Sequence, residues 1–158
     1  MSVMITLSDW LGPYDDHVDA TDDVRAAAEA MLDAVNRCYA AYASTGASLP
    51  TNPATGNGVS GNGHGGFRPC DCSVGAAGSQ HKTGHAVDRY DPDRAFARWC
   101  LRNLDMLAGL GLHMEDPRWT PSWVHLQDVP PKSGRLVFIP SSSLPLAAGL
   151  PEQAGGAA

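Results

Sequence analysis

The sequence predicts an α+β domain in which a small antiparallel sheet is covered by two main helices. Three observations predict it: a long alanine-rich stretch with helical spacing of apolar residues, a second and shorter stretch of this kind, and four short apolar segments bounded by turn residues. A chain of 158 residues suits one domain. We expect that domain to span 1–146, with its core at about 22–140 and a flexible tail at 147–158.

The first helix is predicted over about 22–44. Thr21 is a suitable N-cap, and the two aspartates that follow it place negative charge in the first turn. The apolar positions recur every three or four residues, as on one buried face of a helix: Val24, Ala27, Ala28, Met31, Leu32, Val35, Cys38 and Tyr39.

The second helix is predicted to begin at Asp91-Pro92-Asp93, since proline is favoured near the first helical position. It is expected to end at Gly109 or Gly111, because glycine terminates helices. Its predicted apolar face consists of Ala95, Phe96, Trp99, Cys100, Leu104, Leu107 and Leu110.

Four short strands are predicted, at 86–88, 112–115, 122–127 and 135–139. The second and third are expected to form a hairpin that turns at about 117–121, where prolines bound the segment. Residues 44–80 contain most of the glycine and asparagine and show little periodicity. A loop of that length inside a compact domain is more often functional than idle.

Charge and composition exclude several classes of protein. The formal net charge is −6, which argues against a nucleic-acid binder and against adhesion to an anionic membrane. No apolar run approaches the length of a membrane span, and residues 1–10 lack the features of a secretory signal peptide. We therefore expect a monomer that is made in the cytoplasm without a signal peptide. Cys70 and Cys72 do not have zinc-knuckle spacing, and Cys38 and Cys100 are expected in the core.

Three side chains could hold a catalytic zinc ion, which takes three protein ligands and keeps one position open. His81 and Asp88 are separated by Gly84, where the chain can turn so that both side chains converge. His125 lies in a segment whose strand alternation places it on one face with Trp123 and Gln127. On chemistry alone, His85 competes with His81 for this role.

The surrounding pattern resembles a known family. Ser-x-His-x-x-Gly-x-Ala-x-Asp at 79–88, followed by Trp-x-His at 123–125, resembles the signature of the M15 zinc peptidases. These are D-alanyl-D-alanine carboxypeptidases and L-alanyl-D-glutamate endopeptidases that share a fold with the signalling domain of hedgehog proteins. The segment Gly65-Gly66-Phe67-Arg68-Pro69 is similar to a further family segment that contains an arginine.

The resemblance covers about residues 24–140 and implies a role for five side chains. It implies that His81, Asp88 and His125 bind Zn²⁺. It implies that Arg68 contacts the substrate or the oxyanion, and that Ser79 supports the first ligand or touches the substrate.

The general base is where the sequence departs from the family. Many members place a glutamate three residues before the last histidine, and here that position is Ser122. On the predicted hairpin, Glu115 lies opposite His125 and is our first candidate for the base, with Asp116 next. His113 alternates with Glu115, so we expect it on the same face as a supporting donor or a substrate contact.

The function implied is zinc-dependent cleavage of peptidoglycan stem peptides. Segments at 52–56, 59–61 and 81–84 resemble phage-encoded members in particular. This favours an endolysin or a virion-associated lytic enzyme, which a holin or the virion would bring to the cell wall. The alternative is a non-catalytic, zinc-stabilised protein that binds the cell wall or serves as a structural phage protein.

Overall fold

Residues 4–140 are described by the computed structural model, and they form an α+β structure around one four-stranded sheet. The tail predicted at 147–158 lies outside the described residues, as does the C-terminal end of the predicted domain. No helix between residues 4 and 140 is both long and apolar enough to cross a membrane. The helices and strands are α1 Leu7–Leu11, α2 Asp22–Ala43, β1 Ala86–Tyr90, α3 Ala95–Arg102, α4 Leu104–Gly109, β2 His113–Glu115, β3 Trp123–Gln127 and β4 Val137–Phe138.

Helix α2 confirms the helix predicted over 22–44. Its N-cap is Thr21, whose side chain accepts a hydrogen bond from the backbone N–H of Val24 at 3.3 Å. The buried face of the helix contains Ala28, Met31, Leu32, Val35, Cys38, Tyr39 and Tyr42. The predicted period therefore identified the side that enters the core.

The second predicted helix is wrong in two respects. It begins later, at α3, because the buried carboxylate of Asp91 accepts hydrogen bonds from two backbone N–H groups of the first turn of α3. It is also interrupted, since Asn103 has φ −131° and ψ 43°, outside the helical region. The chain resumes as α4, which ends at Gly109 as predicted.

The sheet has the strand order β1-β3-β2-β4, and it is mixed rather than antiparallel as predicted. Strands β1/β3 and β2/β3 are antiparallel, but β4 runs parallel to β2. The pairing of His113 with Gln127 shows that β3 ends where β2 starts. The connection from β3 to β4 is short, so β4 also starts at the end of the sheet where β2 starts. It therefore runs parallel to β2, with Val137 beside Met114.

The two faces of the sheet have different surroundings. Strand residues of one face are almost completely buried in the core beneath α2 and α3: Val87, Met114, Val124 and Leu126. The alternate residues point to the opposite face, which carries Asp88, Glu115 and His125. The period of two along each strand thus separates apolar core from polar cleft.

The free edge of β1 is covered by the long loop, which has no helix or strand between α2 and the 3-10 turn Gln80–Lys82. Hydrogen bonds join Ser60 N–H to the Asp88 carbonyl at 2.8 Å and Asp88 N–H to the Gly65 carbonyl at 2.7 Å. A third joins Tyr90 N–H to the Gly58 carbonyl at 2.9 Å. The loop is therefore held against the strand that carries Asp88.

Helix α1 was not predicted from the sequence. Thr6 and Asp9 form a capping box at its start. The indole N–H of Trp10 donates to the carbonyl of Ala86 at 2.9 Å, which connects α1 to the first residue of β1. A Cβ atom at Gly66 would lie 1.9 Å from the Trp10 carbonyl oxygen, so this close approach requires glycine.

Candidate metal centre

Three buried side chains of ligand type converge on the polar face of the sheet. Asp88 and His125 are direct cross-strand partners on β1 and β3, and His81 comes from the 3-10 turn that precedes β1. The His81 Nε2 atom lies 3.3 Å from both His125 Nδ1 and Asp88 Oδ1, and His125 Nδ1 lies 2.8 Å from Asp88 Oδ1. These three residues could hold a metal ion.

The geometry suits a small tetrahedral cation. Metal–ligand bonds of about 2.0–2.1 Å at tetrahedral angles separate ligand atoms by roughly 3.3 Å. Two of the three distances already have that value, and the third is shorter because His125 and Asp88 share a hydrogen bond. A movement of about half an ångström would therefore complete the arrangement.

The turn between the first two ligands depends on Gly84, as predicted. Its φ is +88°, and a Cβ atom there would lie 2.4 Å from the carbonyl oxygen of Val24 on α2. Ser79 caps the 3-10 turn by accepting the backbone N–H of His81 at 3.4 Å. Ser79 thus stabilises the turn that carries His81.

The competing histidine lies elsewhere. His85 Nδ1 donates to Asp128 Oδ1 at 2.8 Å, and the imidazole is about one-third exposed. His85 does not belong to the converging group. The structure therefore places His81, and not His85, with Asp88 and His125.

In each imidazole of the group, the ring nitrogen that points away from the other two side chains has a hydrogen-bond partner of its own. The carbonyl of Gly66 lies 2.8 Å from His81 Nδ1, and because a carbonyl only accepts, Nδ1 carries the hydrogen. The amide oxygen of Gln127 lies 3.0 Å from His125 Nε2. Neither contact was predicted from the sequence. Strand alternation placed Gln127 on the face of His125, but no local signal indicated Gly66.

The three ionisable side chains of the group shift one another's pKa values. Burial opposes ionisation of Asp88, but the two histidines outweigh it and hold the pKa of that carboxyl well below its usual range. Burial lowers the pKa of His81 against the attraction of Asp88. Burial also opposes the charge of His125, but the hydrogen bond to Asp88 outweighs it and raises the pKa of His125. A cation entering here would displace the proton that His125 and Asp88 share.

Arg68 forms an ion pair with Asp88, one of the three converging side chains. Its Nη2 atom lies 3.2 Å from Asp88 Oδ2, the oxygen that does not face the histidines. Its Nε donates to the carbonyl of His64 at 2.7 Å. Arg68 also lines the cleft, so the predicted substrate contact remains open to it. The ion pair with Asp88 is an additional role that the sequence did not indicate.

Glu115 and Asp116 have different surroundings. Glu115 lines the cleft, and continuing the register of β2 and β3 by one pair brings it opposite His125. Burial raises the pKa of Glu115, and the charge of His125 opposes that rise. Asp116 is instead paired with Arg118, which donates to Oδ1 at 2.9 Å and to Oδ2 at 2.5 Å.

His113 lies apart from the group. It begins β2 opposite Gln127, and its Nδ1 donates to the carbonyl of Arg135 at 3.2 Å. It is not among the residues that line the cleft. The structure therefore does not bring His113 to the converging ligands, although it alternates with Glu115.

The converging group opens into a cleft of about 450 Å³. One wall comes from the end of the long loop and the other from the connection between β3 and β4. The lining residues are Arg68, Gly75, Ala76, Gly78, Ser79, Gln80, His81, Asp88, Glu115, Trp123, His125, Gln127, Pro130, Pro131, Lys132, Ser133, Phe138, Ile139 and Pro140. The cleft therefore has the volume of a typical small-molecule site beside the converging group.

Within the described part of the chain, a second group of ligand-type side chains consists of His17, Asp19 and Asp71. Its members are half-buried or exposed, and Asp19 already accepts the backbone N–H of Cys70 at 2.9 Å. Such exposed acidic groups are common without a metal. The buried group at the cleft is the stronger candidate.

Comparisons with protein-family models, with curated proteins and with solved structures found no match for this chain. The function proposed next therefore rests on the residues of the cleft and on the motifs that they form.

Proposed function

We propose that this chain is a zinc-dependent peptidase that cleaves stem peptides of peptidoglycan. The observation that carries the proposal is the buried group of His81, Asp88 and His125 with Glu115 in the same open cleft. Two imidazoles and one carboxylate are a donor set that zinc favours, and three protein ligands leave a fourth position free. A carboxylate beside that position is what a hydrolase needs as a general base.

Each of the cleft residues would have its own role in hydrolysis. A zinc ion, when bound, would polarise the scissile carbonyl and favour ionisation of water. Glu115 accepts a proton from the attacking water at a carboxylate oxygen and returns it to the leaving amine. Its raised pKa suits this exchange, because a base that titrates nearer neutrality can also act as an acid.

Arg68 would support the reaction through charge. Its guanidinium neutralises the outer oxygen of Asp88 and keeps that carboxylate oriented toward the histidines. It also lines the cleft, where its positive charge favours the oxyanion that forms at the scissile carbonyl. Ser79 and the backbone of Gly66 hold His81 in place.

The substrate class follows from the motifs. The resemblance of 79–88 and 123–125 to M15 peptidases supports a D-Ala-D-Ala carboxypeptidase or an L-Ala-D-Glu endopeptidase with a hedgehog-like fold. The further resemblance of 52–56, 59–61 and 81–84 to phage-encoded members supports an endolysin or a virion-associated enzyme. We propose that it acts on the cell wall as a monomer, after passing a holin or arriving with the virion.

One observation favours a second candidate. Ser122 stands where many M15 members have their glutamate base, and it is exposed. A chain that kept the metal for stability and lost the base would bind cell wall without cutting it. This alternative is a non-catalytic, zinc-stabilised cell-wall-binding or structural phage protein.

The test is digestion of intact peptidoglycan by the purified protein, with and without a zinc chelator. Released fragments are identified by mass spectrometry, which also shows which bond is cut. We expect fragments that disappear with chelator and return with added zinc. Sedimentation with the wall and no fragment from any peptidoglycan type would favour the non-catalytic candidate.

A further inference from the structure

The side chain of Gln127 is fixed at both ends inside the cleft. Its Nε2 atom lies 2.6 Å from the carbonyl oxygen of Val129, and its Oε1 atom lies 3.0 Å from His125 Nε2. Since a carbonyl oxygen only accepts hydrogen bonds, the amide nitrogen has to face Val129. The amide oxygen therefore faces His125, and it can only accept. With Gln127 merely 5% exposed, water does not readily replace either bond.

This arrangement decides which ring nitrogen keeps its hydrogen when His125 is neutral, as it must be to bind a metal. The amide oxygen of Gln127 requires N–H at Nε2, which leaves Nδ1 as the nitrogen that faces the centre. His81 shows the opposite choice, because the carbonyl of Gly66 requires N–H at Nδ1 and leaves Nε2 facing the centre. The two histidines thus present different nitrogens to one point.

Without Gln127, the neutral ring would have a competing arrangement. Asp88 Oδ1 lies 2.8 Å from His125 Nδ1 and would stabilise a ring whose single hydrogen is on Nδ1. In that tautomer the lone pair would be on Nε2, which points away from His81 and Asp88. A metal ion would first have to reverse the tautomer, and its apparent affinity would fall.

We propose that Gln127 is a positioning residue that holds the hydrogen of His125 on Nε2 and so presents Nδ1 to the metal. The proposal rests on the metal site of the proposed function, and it adds a side chain that neither the motifs nor the ligand set indicate. Partners of this kind on ligand histidines typically change metal affinity by about 10- to 100-fold.

The test compares Gln127→Met with Gln80→Met. Methionine keeps the length of glutamine but cannot make the strong hydrogen bonds of an amide. Gln80 lines the same cleft, and its side chain contacts Thr83 rather than a ligand. Competition titrations with a coloured chelator should show zinc affinity lower by about 10- to 100-fold in Gln127→Met. The affinity of Gln80→Met should equal that of the wild type, and equal affinities in all three proteins would overturn the proposal.

A spectroscopic measurement decides the question if Gln127→Met does not fold. Long-range ¹H–¹⁵N spectra of the zinc-loaded wild type should place the hydrogen of His125 on Nε2 and that of His81 on Nδ1. A His125 ring bound through Nε2, with its hydrogen on Nδ1, would overturn the proposal.

The same spectra separate this inference from the proposed function. If the wild type takes up zinc with the expected tautomers but cuts no peptide, the enzymatic function fails and the role of Gln127 stands. If it takes up no zinc at all, the proposed function fails. In that case, a metal-free His125 that lacks a hydrogen on Nε2 would overturn the inference as well. A metal-free His125 with its hydrogen on Nε2 would support the claim that Gln127 holds that hydrogen in place.

Discussion

Replacing Glu115 with glutamine is the sharpest test of a catalytic cleft. Glutamine keeps the size and the hydrogen-bonding shape of glutamate, but it cannot take a proton from water. A general base contributes about 10²- to 10⁴-fold, so the turnover rate should fall by at least about 10²-fold. That loss corresponds to a barrier higher by about 2.7 kcal/mol.

The structure indicates that folding should tolerate this change. Burial raises the pKa of Glu115, so the charge of its carboxylate lowers the stability of the folded state. A neutral amide removes that cost, and the free energy of unfolding should stay equal or rise slightly. Glu115 is not one of the three converging ligands, so zinc content should stay near one ion per chain.

Asp116→Asn is the matched control, since it makes the same chemical change one residue later. Its carboxylate is paired with Arg118, whose side chain is 34% exposed. Loss of a partly exposed pair of this kind costs roughly 0.2–1 kcal/mol of stability. The hydrolysis rate should remain near that of the wild type because Asp116 does not line the cleft.

The assay is release of stem-peptide fragments from peptidoglycan, quantified by mass spectrometry for the wild type and both variants at equal zinc content. An inactive Asp116→Asn beside an active Glu115→Gln would refute the assignment of the base. Full activity in both variants would refute carboxylate catalysis by this hairpin.

Three further predictions concern the metal and its support. His125→Ala should abolish uptake of zinc, measured by elemental analysis, whereas His85→Ala should retain it; equal zinc in both would exclude the proposed ligand set. Burial opposes protonation of His125, but the neighbouring carboxylate outweighs it and raises the pKa, so protons should compete with zinc at a higher pH than for an ordinary histidine. Zinc should be held above that pKa and released progressively as the pH falls below it, which equilibrium dialysis at a series of pH values can follow. Gly66→Ala should lower the free energy of unfolding by about 1–3 kcal/mol in a denaturant titration, because its Cβ would meet the Trp10 carbonyl. Gly78→Ala, where a Cβ meets nothing within 4 Å, should have little effect, and similar losses in both would contradict the close approach.

Much of the local structure was predictable because its causes lie close together in the sequence. The N-cap and apolar period of α2 are both readable over 21–43, and the structure confirms that helix. Alternation along β3 correctly predicted that Trp123, His125 and Gln127 share one face. The break at Asn103 was not predicted, because the apolar period continues across it and gives no sign of the change in backbone angles.

The sequence was enough to predict which residues form the candidate site, but not how they are arranged in space. Spacing and motif were enough to select His81, Asp88 and His125, and a glycine at 84 was enough to expect a turn. The pairing of Arg68 with Asp88 was not foreseen, since twenty residues separate them and their approach depends on how the long loop is held along β1. The choice between Glu115 and Asp116 likewise depended on the register between β2 and β3, which the sequence alone does not determine.

By itself, the sequence determined the segments that form α2 and the four strands, and the side chains that can bind a metal. These depend on residue type and on neighbours along the chain. The tertiary structure alone decided that β4 lies parallel to β2, that α1 packs its Trp10 carbonyl against Gly66, and that Gly66 and Gln127 hydrogen-bond to His81 and His125. These contacts join residues brought together by packing of the whole chain. Their geometry depends on the balance of burial and hydrogen bonding across the fold, which no local pattern records.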